Sequence, residues 1–193
     1  MFFRIIVLIL ALLAVPPGLA VAQQDSANPV ERQRPQLEQV ALVDVLEVAR
    51  RNSDKSYLID HRVQPTIVIG QADLRRIDYP YLLSILRNND LAAVTKDDIV
   101  NIVPVNMVRQ FPLPVLYEAD DSIHDEEWVT WIIRTRNAPP QNIVPIIRPI
   151  MPAAGHFAAN PDSQSMLLVD RYGNAKLIAA LIEELDAATP PRN

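Results

Sequence analysis

From Ala41 to Ser53, apolar residues fall at Leu42, Val45, Leu46 and Ala49, while Asp44, Glu47, Arg50 and Arg51 lie off that face. This is the helical period of a segment with one side to bury. "SYLID" and "TIVIG" follow as short β-rich runs separated by "HRVQP". "DYPYLLSILRNND" then offers Asp78 as a helix N-cap, Pro80 in the first turn, and Leu82, Leu83, Ile85 and Leu86 as the apolar set. "LAAVT", the turn "KDD" and "IVNIV" complete a hairpin, and "QLEQ" fits a short strand in front. The predicted order is helix, strand, strand, helix, strand, strand.

A second pattern begins at "WVTWIIRT", where Trp128, Thr130, Ile132 and Arg134 alternate in direction with Val129, Trp131 and Ile133. Both faces carry apolar groups, so this strand is expected to be covered at least in part on both sides. "PPQNIVPIIRPIM" predicts a short helix with Pro140 at its start. Pro145 and Pro149 are each unfavourable inside a helix by about 3 kcal/mol, so the helix is expected to start late, to kink, or both. "HFAAN", the turn "PDSQ" and "SMLLVD" form a hairpin. The closing helix is expected to bury Leu177, Ile178, Leu181, Ile182 and Leu185 before "ATPP" stops it.

The fold class is therefore α+β, with two small α/β modules at 37–104 and 128–187, the second in the order β-α-β-β-α. Modules of this size bury only about 60% of their unfolded surface, so further burial against a neighbour is expected. Between them, residues 105–127 lose the pattern, with two prolines and then six carboxylates in ten residues and no Lys or Arg, and read as an acidic interdomain linker. Residues 23–36 read as a flexible lead-in and 188–193 as a tail. Residues 1–22 combine Arg4, the apolar run "IIVLILALLAV" and the small residues "AVA" at Ala20 to Ala22, the pattern of an export signal. The apolar run is short for a spanning anchor, which is the other reading, and Pro16, Pro17 and Gly18 break it.

The formal charge is -5, or -6 once Arg4 is removed, which works against binding to phosphate backbones or anionic membrane surfaces. Without any Cys there is no disulfide, thiol nucleophile or zinc knuckle. His61, His124 and His156 are scattered, and only His124 lies near carboxylates, without a loop glycine or ligand spacing that would point to a cation. No Ser stands in a nucleophile motif, and the four glycines are isolated, so no phosphate loop is predicted. The β-α-β-β-α order invites comparison with KH domains, but no G-x-x-G loop is present, and nucleic acid is not expected as a partner. Trp128 and Trp131 cannot share a face of a regular strand, which argues against a base-stacking platform and for core and interface roles. No catalytic, cofactor or metal residue is assigned.

The residues do resemble one family. "YLIDHRVQPTIVI" is similar to a strand, turn and second strand in the first periplasmic domain of secretins, with His61 where the family has Pro, and "YLLSILRNNDLAAVTKDDIVNIVP" resembles the run that follows. "VPIIRPIM", "NPDSQSMLLVD" and "NAKLIAALIEELD" resemble the helix, hairpin and closing helix of the repeated, KH-like secretin domain. The leading strands are shortened to "QLEQ", and the family's turn glycines are largely missing. The similarity is to the N-terminal periplasmic domains of type II secretion secretins. With the chain ending at Asn193 and no channel domain following, the chain is not expected to form the pore.

The resemblance implies a non-catalytic periplasmic component, associated with the outer membrane through a secretin complex. Its expected partners are copies of itself or a full secretin ring, and inner-membrane platform proteins. Arg148, Arg171, Lys176 and Glu183, around the helices of the second module, are the candidate interface residues. Tyr57 and Asp60 are expected to be structural. The alternative is a periplasmic ligand-binding protein or enzyme using a cleft between the modules, which predicts a pocket of convergent polar groups.

Overall fold

The computed structural model describes residues 37–70 and 74–191, which fall within one compact unit. The expected export signal and lead-in lie outside the described residues. Among the described residues no helix is long and apolar enough to cross a membrane.

The N-terminal half opens with strand β1 (Glu38–Ala41) and helix α1 (Leu42–Asn52), which buries Leu42, Val45, Leu46 and Ala49 as its period predicts. Strands β2 (Ser56–Ile59) and β3 (Thr66–Ile69) follow, then a 3-10 turn (Leu74–Arg76) and helix α2 (Tyr79–Asn88). Asp78 caps α2 by accepting from the Tyr81 N–H at 2.9 Å, and Pro80 occupies the first turn, where its missing N–H leaves no intrahelical bond unmade. Strands β4 (Leu91–Lys96) and β5 (Ile99–Pro104) form the expected hairpin.

The two runs after α1 go to different sheets: β2 pairs in parallel with β5, whereas β3 pairs antiparallel with β1. The three-stranded sheet has the order β2-β5-β4. One core contains both helices, Ile67 and Ile69 of β3, and Ala93, Val100 and Ile102 from the front of the three-stranded sheet.

The C-terminal half is a single sheet of order β6-β7-β9-β8, made by β6 (Val115–Leu116), β7 (Trp128–Arg134), β8 (His156–Asn160) and β9 (Ser165–Arg171). Helices α3 (Pro140–Ile147) and α4 (Tyr172–Ala187) cover one face, burying Val129, Trp131, Phe157, Met166 and Leu168 against Ile143, Ile147, Ile178 and Ile182. From β7 to α4 the chain runs β, α, β, β, α. Helix α3 does not start late: Pro140 begins it and Pro145 lies inside, and the chain then tightens into a 3-10 turn at Arg148–Ile150. Asp186 near the end of α4 holds the loop after β7, accepting from the N–H groups of Arg136, Asn137 and Ala138 at 2.9, 2.8 and 2.7 Å.

The two halves meet through the backs of their sheets. Ala92, Val94 and Val103 of the three-stranded sheet share a buried cluster with Trp128 and Val169 of the four-stranded one, and Val108 from the connecting segment completes it. Trp128 and Trp131 thus serve opposite faces of β7, as alternation requires. Each half thus gains buried apolar surface from the other.

Candidate functional site

The acidic segment keeps Glu118, Asp120, Asp121 and Asp125 exposed and half-buries Glu126 and Glu127, and it carries regular structure on its N-terminal side. Residues Val105–Gln110 form a 3-10 helix, and β6 pairs in parallel with Thr130 and Trp131. The following turns bring Asp120 to Glu127 between the halves. The backbone carbonyls of Glu127 and Asp125 accept from the first N–H groups of α4, at Tyr172 (2.7 Å) and Gly173 (2.8 Å). They supply the cap that α4 lacks from a side chain. A Cβ on Gly173 would lie 3.0 Å from Asp125 Cβ, so the close approach depends on the glycine.

The side chains of the same segment reach both ways. Glu126 takes Arg87 of α2 at 2.5 Å and faces Arg171 of β9 at 3.4 Å. Glu127 accepts from the Tyr79 hydroxyl at 2.8 Å, and that hydroxyl also lies 2.7 Å from Thr95 Oγ1. Burial first, together with the Glu127 charge, pushes the Tyr79 phenol well above its ordinary value. The His124 ring leans on Tyr79 with centroids 5.8 Å apart. Lys176 pairs with Asp125 at 2.7 Å and lies over the Tyr172 ring.

Arg171 stacks on Trp128, 5.0 Å from the ring centroid, and burial weighs against its charge while Glu126 supports it. Beside it Asp170 is buried, its carboxyl pushed up by burial although Asn174 and the Arg171 N–H bond to it. Among the described residues no group of His, Asp and Glu is arranged to hold a metal ion.

Of the four candidate interface residues, Arg171 and Lys176 are therefore engaged within the chain, and Arg148 and Glu183 are exposed. Lys176 and Glu183 line one groove of about 950 Å³ between α4 and the β7 edge, with Trp131, Ile133, Arg134 and Asp186. Tyr57 is half-buried with its hydroxyl 3.0 Å from Ser53 Oγ. Asp60 accepts three bonds from Arg62, which hold its carboxyl below the usual range.

The sequence pattern did not show an apolar strip on the outer helices. Leu177 and Leu181, expected to be buried, are 56% and 39% exposed, because α4 turns Ile178 and Ile182 inward together with Tyr172 and Ala175. Ile146 and Ile150 are exposed by 57% and 52%, and Ile150 shares a groove with Leu177. On the opposite side of the sheet, Ile132, Leu167 and Ala158 stand in one cross-strand row, with Leu167 38% exposed. This row lies on the face whose other end, Trp128 and Val169, is covered by the N-terminal half.

No protein-family model matches the chain. The secretin XcpQ of Pseudomonas aeruginosa is 28% identical over 134 residues, 68% of this chain and 20% of that protein. Secretin GspD 2 of enterotoxigenic Escherichia coli is 25% identical over 152 residues, 76% of this chain and 22% of that protein. The chain thus spans about a fifth of the length of these relatives. Among solved structures, the type II secretion outer membrane complex of Klebsiella pneumoniae, which holds PulD, PulS and the PulC HR domain, matches with a TM-score of 0.65 at 20% identity. That match covers 79% of this chain and 26% of the other, and at this identity it shows a shared fold. The chain is thus similar in sequence to the N-terminal periplasmic domains of type II secretion system secretins, and it shares its mixed α/β fold with a chain of the Klebsiella complex.

Proposed function

We propose that the chain is a non-catalytic periplasmic component of a type II, or related secretin-dependent, protein secretion system. It acts through protein contacts: ring assembly with copies of itself or with a full-length secretin, and contact with inner-membrane platform proteins. Residues 37–104 correspond to the first secretin N-terminal domain and 128–187 to the KH-like repeat domain, with 105–127 joining them. The relationship to secretins supports a periplasmic location, associated with the outer membrane through the secretin complex.

The observation that carries this reading is the pair of unlike apolar surfaces on opposite sides of the four-stranded sheet. One is a helix strip (Ile146, Ile150, Leu177, Leu181) and the other an open sheet row (Ile132, Leu167, Ala158). Two different patches on opposite sides favour a head-to-tail contact, the kind that closes into rings, over a two-fold dimer. Arg148 and Glu183 flank the helix strip as its polar rim. The alternative, a ligand site in a cleft between the modules, has little support. The joint is filled by apolar side chains, and the groove beside it is lined by Arg87, Asp125, Glu126 and Arg171, whose charges already pair with one another or with Lys176.

Size-exclusion chromatography with light scattering, together with pull-downs using type II secretion components, tests the proposal. Assembly beyond a monomer or recovery of a secretin or platform protein is expected. A strict monomer that recovers none of them would overturn it.

A further inference from the structure

We infer that Glu126 is a positioning residue that sets the angle between the two halves of the chain, while the apolar joint holds them together. The joint has two parts of different physical character. Its centre is Ala92, Val94, Val103, Val108, Trp128 and Val169, all buried. Burial of these side chains away from water supplies the adhesion. The hydrophobic effect is non-directional, however, so apolar burial by itself favours contact more than any one angle between the two sheet backs.

Direction comes from the rim. Glu126 is the side chain there that faces a cation from each half: Arg87 from α2 at 2.5 Å and Arg171 from β9 at 3.4 Å. Arg171 is in turn fixed by its stacking on Trp128, which belongs to the apolar centre. The Arg87–Glu126–Arg171 bridge thus ties the angle of α2 to that of β9. Asp125, Asp170 and Asn174 complete the polar surroundings of the bridge. Asp125 is held by Lys176, and Asp170 by Asn174 and the Arg171 N–H.

The absence of Cys allows a direct test on the full chain. Spin labels at Asp44→Cys on α1 and Glu184→Cys on α4, both exposed, report the distance between the halves. A narrow distribution is expected in the parent. Glu126→Gln is expected to broaden it roughly twofold or more, with unfolding still a single transition, because relative motion is the default for units whose apolar interface is small, and the joint here is six buried residues. Arg87→Met removes one arm from a side chain that is 56% exposed, keeps the fold if Glu126→Gln does not, and is expected to broaden the distribution less. A parent distribution that is already broad, or unchanged widths in the folded variants, would overturn the inference even if their melting temperatures fall.

Discussion

The two halves solve the same problem in different ways. The N-terminal half buries both helices and β3 in one core, and the outer face of α1 carries Glu47 bonded to Arg50 and Arg51. The C-terminal half places both helices on one face of a larger sheet, and their outer surfaces keep Ile146, Ile150, Leu177 and Leu181. A helix apolar on both sides is suited to a neighbour rather than to water. The helices of the N-terminal half expose Val43 and Tyr81, one large apolar side chain each, whereas the outer helical surface of the C-terminal half exposes four aliphatic ones.

The joint makes the strongest claim about this pair, that they unfold as one body. Leu82→Ala in the N-terminal half and Ile178→Ala in the C-terminal half each remove a side chain with 0% exposure. Each is expected to lower stability by about 3 kcal/mol in urea or thermal melts. The two substitutions should shift one common transition, and a split into two transitions would break the account of the joint.

Asp186→Ala sharpens the comparison on the C-terminal side, where one carboxylate organises a loop. Removing the acceptor of three N–H groups should cost about 2 kcal/mol. Burial opposes the Asp186 charge, but the N–H groups of Arg136, Ala138 and Asn137 outweigh it, and the folded carboxyl sits below the ordinary 3.8. Its contribution is therefore present above 3.8 and lost as pH falls through the lowered folded value. In melts against pH, the gap between parent and variant should close on the acid side.

In the N-terminal half the corresponding device guards a strand edge. Asn89 at the end of α2 accepts from the Val68 N–H at 2.7 Å and donates to the Val68 carbonyl at 2.8 Å, so its amide takes the place of a neighbouring strand along β3. Asn89→Ala should cost about 1 kcal/mol and raise self-association, read by melting and light scattering. The smallest effect concerns the β4–β5 turn, where Asp97 holds a φ of 54°. Asp97→Gly should raise stability by about 0.5 kcal/mol, the relief of left-handed strain less the added chain entropy.

Local pattern carried most of the elements. The buried face of α1, the Asp78 cap, both hairpins and the opposed tryptophans follow from period and alternation alone. What depended on distant partners was not legible. Nothing within "SYLID" and "TIVIG" shows that they join separate sheets, because strand pairing is decided by β5 and β1. Asp125 and Glu126 look solvated in sequence because their cations, Lys176 for the first and Arg87 and Arg171 for the second, lie tens of residues away. Leu177 and Leu181 fit a buried face as well as Ile178 and Ile182 do, and only the sheet's position chooses between them.

The most direct measurement is assembly with and without the helix strip. Leu177→Ser with Leu181→Ser alters exposed side chains and should leave the melting transition nearly in place. The account predicts that the parent chain assembles with itself, or is recovered with a secretin ring, and that the double variant does neither. A variant that assembles as well as the parent would contradict it.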